Sequence, residues 1–199
     1  MRDQQGLRRQ LRHARRNLSV NERTAAESAA VKRILQHPVF RRARRIAGYV
    51  GSNGELNPMA LLEHAVALGK TCYLPALHPF RRGELRFYRW RPGDRLRRNR
   101  FGIPEPVPCR RGLIAAHRLD LVVVPVLGFD EDCHRLGMGG GYYDRSFAFI
   151  HRRQRATRPF LLGLAHEVQR IDRLPTQPWD IPLDAVVTNR RLYCRKLCR

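Results

Sequence analysis

The apolar run LVVVPVL at residues 121–127 is bounded by turn residues and predicts a buried strand. Shorter apolar runs at 46–50 (IAGYV), 71–74 (TCYL), 160–165 (FLLGLA) and 185–188 (AVVT) predict four more. In LRFYRW at 85–90 apolar and polar residues alternate, the pattern of a strand with one exposed face. Elsewhere the spacing is helical. Leu7, Leu11 and Leu18 recur at intervals of four and seven with arginines around them. Ser19 and Glu22 fit the capping box S-x-x-E, which starts a second helix through Ala29, Val31, Ile34 and Leu35 that stops before Pro38. Asn57 followed by Pro58 predicts another helix start, and Gly69 its end. A further helix is predicted at 142–152, with Phe147 and Ile150 on one side.

The strand–helix–strand unit at 46–74 is the signature of a parallel α/β sheet. Residues 92–108 are proline-pinned and read as a long loop, a kind of segment that is often functional. With no internal repeat and no linker, the expectation is one domain over residues 1–199. It is a three-layer α/β/α arrangement around a mostly parallel, Rossmann-like sheet, with the helical pair at 1–40 packed on it. In such sheets ligands bind beyond the carboxyl ends of the strands. That places Glu55, the glycines near 140 and Asp180 around one cleft.

Charge adds a constraint on partners. Lys+Arg number 39 against 17 Asp+Glu, a net charge of +22, and the pI is about 11.4. Residues 1–45 alone carry thirteen Lys+Arg against three acids. Such an excess attracts polyanions, although the arginine-rich usage of a GC-rich genome produces the same balance and no nucleic-acid motif is present. The opening MRDQQGLRRQ has no apolar core of a secretory signal, and no stretch approaches the roughly 18 apolar residues of a membrane span. Five scattered cysteines without a C-x-x-C pair suggest reduced thiols in a cytoplasmic protein.

The densest candidate chemistry is RLGMGGGYYDR at 135–145, placed between the 121–127 strand and the 142–152 helix. Glycines 137, 139, 140 and 141 let bare N–H groups converge at a helix start, which favours a phosphate. The spacing is neither G-x-G-x-x-G nor G-x-x-x-x-G-K-[ST], and a glycine-rich turn without a ligand is the plain alternative. His166-Glu167 and Cys133-His134 have no partners at ligand spacing and are assigned no metal or nucleophile role.

Assembled in order, these stretches resemble the 5-formyltetrahydrofolate cyclo-ligase (5,10-methenyltetrahydrofolate synthetase) family. The matching residues are Gly54-Glu55-Leu56, Tyr73-Leu74-Pro75, the stretch FGIPEP at 101–106, Phe129-Asp130, RLGMGGGYYDR, Gly163-Leu164-Ala165 and residues 179–188. They cover nearly the whole chain, and RLG-x-G-x-GYYD is the specific element. The resemblance implies a sheet like that of sugar-phosphate isomerases and an ATP- and Mg²⁺-dependent closure of 5-formyltetrahydrofolate to 5,10-methenyltetrahydrofolate, releasing ADP and phosphate. It implies ATP contacts from Arg8, Arg135, Leu136, Gly137, Met138, Gly139, Gly140, Gly141, Tyr142 and Tyr143. Folate contacts would come from Val50, Glu55, Phe101, residues 138–141 and Tyr142, which would lie between folate and nucleotide. Asp144 and Asp180 would hold Mg²⁺, and Arg135, Tyr142 and Asp144 would serve catalysis.

Each residue also has a plain reading. Asp144 can cap or pair locally, Asp180 can be a turn residue before Pro182, Phe101 can be core, and Glu55 can be a solvated loop carboxylate. Three positions depart from the common family pattern: Gly140 and Gln4 stand where lysines are usual, and Cys133 where a glycine is usual. A monomer without membrane attachment is expected. The rival reading is a basic protein that binds RNA or another polyanion without folate turnover.

Overall fold

The computed structural model describes residues 4–151 and 159–195. Its helices are α1 (Gln4–Arg16), α2 (Val20–Gln36), α3 (Pro38–Arg42), α4 (Met59–Ala67) and α5 (Tyr142–Phe147). The first strands are β1 (Arg45–Ala47), β2 (Thr71–Leu77), β3 (Leu85–Trp90), β4 (Leu96–Arg98), β5 (Pro104–Pro106) and β6 (Leu113–Ile114). They are followed by β7 (Leu121–Pro125), β8 (Gly128–Phe129), β9 (Arg135–Leu136), β10 (Phe160–Leu164), β11 (Ala185–Val187) and β12 (Leu192–Cys194).

Eight of these strands form one sheet in the order β12-β11-β10-β7-β1-β2-β3-β6. The five from β11 to β2 pair in parallel, and antiparallel strands flank them on both sides. Counted along the chain, the parallel strands take the doubly wound order 2-1-3-4-5. The chain moves outward from β1 to β2, then returns to place β7 on the other side of β1. Between β1 and β7 the loops leaving the strands' carboxyl ends therefore diverge, which opens a crevice there.

Alternation along each strand divides the core between the two faces of the sheet. Ile46, Leu121, Val123, Leu162 and Leu164 pack with Ala30, Ile34, Phe40, Leu61 and Leu62 from α2, α3 and α4. Ala47, Val122, Val124 and Leu161 face the other way, onto Phe87, Phe147, Ile181 and Leu183. Helix α1 packs on neither face. Leu11, with Leu7 beside it, joins Leu127, Leu136 and Leu174, so this helix lies over the segments that follow β7.

Several local expectations are corrected. Strand β1 ends at Ala47 because the chain passes tightly over α4: a Cβ on Gly48 would lie 2.9 Å from the Leu62 side chain. Leu18 falls beyond the end of α1. The helix predicted at 142–152 is the six-residue α5 followed by a 3-10 turn at Ala148–Ile150, since Phe147 leaves the helical region (φ −111°). Arg152 lies outside the described residues. Residues 92–108 contain the hairpin β4–β5, with Arg97 opposite Glu105. Its prolines hid it, because proline is tolerated in short edge strands but signals a loop in sequence. Among the described residues no helix is long and apolar enough to cross a membrane.

The capping box is formed as the sequence predicts: Glu22 N donates to Ser19 Oγ (3.2 Å) and Ser19 N donates to Glu22 Oε2 (2.8 Å). Ser19→Ala should therefore cost about 1 kcal/mol. Urea unfolding should show a lower midpoint with an unchanged slope.

Candidate active site

The loop after β1 presents Glu55. Residues 52–55 form a tight turn closed by Glu55 N donating to Ser52 O (2.9 Å), with both central residues at positive φ (Asn53 51°, Gly54 81°). Asn-Gly is the pair best suited to that geometry. The turn folds Ser52 back on the carboxylate, and its N–H and Oγ both donate to Glu55 Oε2 (3.1 and 3.2 Å). Glu55 Oε1 lies 3.5 Å from Arg15 Nη1 of α1. The Glu55 side chain is only 11% exposed, and burial pushes its carboxyl above the usual range, against the pull of Arg15. The turn is held from outside: Arg15 Nε donates to Asn53 O (3.1 Å), and His166 Nε2 bonds Gly54 O (3.1 Å). Burial lowers the His166 pKa, which favours the neutral ring.

The segment after β7 presents the glycine loop. Gly139 (φ 98°) and Gly141 (φ 62°) occupy backbone conformations that a side chain would strain. The N–H groups of residues 137–141 donate to no acceptor among the described residues, and Gly139 and Gly140 are exposed. Arg8 of α1 braces the start of the loop by donating from Nε to Gly137 O (3.0 Å). Arg145 braces its end, donating to Gly140 O and, from Nε, to Gly83 O (3.0 Å). Because α5 has six residues, the loop N–H groups offer more to an anion than a helix dipole does. At Gly140 a Cβ would meet the Tyr142 ring at 2.8 Å, so a lysine there would have to displace that ring.

Arg135 and Asp144 form an ion pair, Nη2 to Oδ1 (2.5 Å), with side chains 6% and 21% exposed. Asp144 Oδ1 also accepts from Ile181 N (3.3 Å), so the backbone just after Asp180 touches Asp144. Asp180 Oδ2 accepts from Gln177 N (2.8 Å), the turn role that the sequence left open. Among the described residues no cluster of three or more His, Cys, Asp or Glu could hold a metal. Two carboxylates nevertheless fit Mg²⁺, which takes one or two carboxylates and completes its shell with water and substrate phosphate. The contacts above leave one oxygen of each aspartate without a partner among the described residues.

Tyr142 links the glycine loop to the β4–β5 hairpin. Its ring stands edge-on to Phe101 (5.9 Å between centroids), and its hydroxyl accepts from Arg100 Nη2 (2.6 Å). Phe101 is 56% exposed, which removes the core alternative. Beyond Tyr142 opens a cleft of about 570 Å³ whose lining includes Arg82, Arg97, Arg98 and Arg100. Val50 is partly buried against the core on the α2–α4 face, whereas Met138 is exposed at the loop tip. Tyr143 is a stacking partner of Phe147, and burial raises its phenol pKa with Glu55 close enough to add to the effect.

Residues from α1, the 50–55 loop, the glycine loop and the 180–181 segment thus meet above the β1–β7 crevice. Sequence patterns did not single out Arg15, Arg100 or the turn-holding role of His166, and they marked Arg145 only as the last residue of RLGMGGGYYDR. Cys133 adopts φ 63° and is fully buried, so this non-glycine residue carries backbone strain there.

A doubly wound α/β sheet with a glycine loop and a buried carboxylate at its switch point belongs to the class of α/β proteins that bind ligands in that crevice. The chain matches the 5-formyltetrahydrofolate cyclo-ligase family over residues 1–189 and belongs to it. It is 37% identical over 183 residues to the 5-formyltetrahydrofolate cyclo-ligase of Escherichia coli (strain K12), covering 92% of this chain and 98% of the relative. The Haemophilus influenzae cyclo-ligase is 35% identical over 180 residues, covering 90% and 94%. The solved structure of Aquifex aeolicus 5,10-methenyltetrahydrofolate synthetase superposes with a TM-score of 0.81 at 30% identity, covering 98% of this chain and 94% of that one. The protein is therefore a ligase by family.

Gly139→Ala should impose a strain of about 1–3 kcal/mol on the loop. Weaker retention of a nucleotide in equilibrium dialysis, with little change in far-UV circular dichroism, is the expected result.

Proposed function

We propose that the protein closes the ring of 5-formyltetrahydrofolate to 5,10-methenyltetrahydrofolate at the expense of ATP, acting in the cytoplasm as a single-domain monomer. A three-layer α/β/α arrangement with α1 and α2 as a pair serving the site belongs to the same reading. What carries it is the convergence of two loops: N–H groups at 137–141 without an acceptor among the described residues and the buried Glu55 carboxylate flank one crevice, with α1 touching both.

The chemistry matches that layout. A formamide oxygen is a poor leaving group, so the γ-phosphoryl of ATP moves onto it and ADP departs. The folate N10 then attacks the activated carbon, its proton is lost, and inorganic phosphate leaves with the former formyl oxygen. Such transfer needs positioning and charge neutralisation more than a protein nucleophile. Backbone N–H groups at 137–141 cradle the phosphates, with Arg8 fixing the loop and Arg135 supplying charge. Leu136 and Tyr143 support the nucleotide, and Met138 covers the junction with folate. Glu55 accepts two N–H bonds from the pterin ring, Val50 borders it, and Phe101 and Tyr142 pack the middle of the folate. The substrate's carboxylates then lie toward the basic cleft beyond Tyr142. Asp144 and Asp180 would hold Mg²⁺, which supplies neutralisation of phosphate charge. The arginine excess by itself favours no RNA-binding role.

The assay is direct: protein, 5-formyltetrahydrofolate, ATP and Mg²⁺, followed by methenyl-folate absorbance. Turnover that requires all three additions is expected, and none at saturation would sink the proposal. Asp144→Asn retains acceptors for Arg135 and Ile181 and should abolish metal-dependent turnover in a folded protein. Asp144→Ala, in contrast, should also cost about 3 kcal/mol of stability by stranding the buried Arg135 charge. Full activity in the Asn variant would remove Asp144 from the metal role.

A further inference from the structure

Among the described residues, every buried side-chain nitrogen or oxygen that lacks a hydrogen-bond partner is a guanidinium nitrogen: Arg12 Nε, Arg15 Nη1 and Nη2, and Arg135 Nε. Arg15 supplies two of them and is itself fully buried. A buried donor without an acceptor forfeits its hydration and recovers little. Fold stability alone does not call for such an arrangement. Arg15 Nε is used on Asn53 O, while Nη1 meets Glu55 Oε1 at 3.5 Å, an ion-pair distance without a formed hydrogen bond.

We propose that Arg15 is a positioning residue for the reaction: from inside the protein it keeps the Glu55 carboxylate ionised and turned toward the pterin ring. This role rests on the pterin contact assigned to Glu55 above. Helix geometry places Arg15 two turns beyond Arg8 on the same face of α1, so one helix supports both loops of the site. Arg15 is the only cation within 4 Å of the Glu55 carboxylate among the described residues. The other groups around it do not replace that charge. Ser52 donates neutral hydrogen bonds. Burial raises the pKa of Tyr49 and Tyr143 and lowers that of His166, which favours their neutral forms. Arg23 approaches Gly54 rather than Glu55, and Glu27 accepts from Asn57 N (2.9 Å). Burial drives the Glu55 pKa up, and Arg15 is the leading opposing influence.

An ionised carboxylate accepts both pterin N–H bonds and a protonated one does not, so folate affinity falls as pH drops through the Glu55 pKa. Removing the Arg15 charge raises that pKa, and the loss then begins at higher pH.

The test measures folate KM and kcat across the neutral and mildly acidic range, at saturating ATP, for the full chain and its Arg15→Met, Arg15→Lys and Glu55→Gln variants. Arg15→Met should move the acid limb of folate affinity up by about one pH unit and so raise KM about ten-fold on the acid side of the limb, the equivalent of one pKa unit, with little change on its alkaline side. The loss should fall on KM rather than kcat. Arg15→Lys keeps the charge and should restore most of the limb, and Glu55→Gln should abolish it. If Met destroys the fold, Arg15→Gln, uncharged but polar, takes its place. A limb that stays put in the neutral variants, or Lys and neutral variants that behave alike, overturns the role of Arg15. A folate KM unchanged by Glu55→Gln overturns the pterin contact and the role of Arg15 with it.

Discussion

Parallel pairing on both sides of β1 is the constraint from which the site follows. A parallel neighbour can be reached only by a crossover over the face of the sheet, and such crossovers are right-handed almost without exception. Placing β2 on one side of β1 and β7 on the other forces successive crossovers in opposite directions. The loops leaving β1 and β7 are pushed apart at their carboxyl ends, and chemistry in this fold has room there. Glu55 stands on one loop and the glycine cradle on the other.

Divergence alone would leave two unconnected loops, and α1 joins them. Its apolar residues pack on the segment after β7 instead of on the sheet. That frees Arg8 to brace the glycine loop and Arg15 to hold the turn before Glu55. The arginine-rich chain start therefore has structural work as well as charge: one guanidinium fixes backbone at the cradle, and another is buried against a carboxylate. On the opposite rim, Tyr142 is tied to Arg100 and Phe101, so the β4–β5 hairpin borders the same crevice.

Much of this was legible in sequence because it depends on local rules. Apolar runs marked the buried parallel strands, alternation marked β3, and S-x-x-E marked the start of α2. The glycines within 137–141 marked backbone that needs positive φ or close approach, and two of them do take positive φ. Other features depended on tertiary packing and left no local trace. Helix α1 contains five arginines, and nothing in their spacing says that Arg15 alone is fully buried. Prolines at 104 and 106 disguised an edge strand as a loop. The helix after the glycines was overestimated because Phe147 is committed to the core of the sheet face, and the chain must leave the α region there to bury it.

The central claim is that the loops after β1 and β7 form one site. Hydrogen exchange of the full chain with a non-hydrolysable ATP analogue and 5-formyltetrahydrofolate, added singly and together, tests it most directly. The nucleotide should slow exchange at residues 135–145 and the folate at 50–57, with both segments slowing further when the two are bound together. Protection confined to the 78–84 and 97–108 cleft, with 50–57 and 135–145 unaffected, would contradict it.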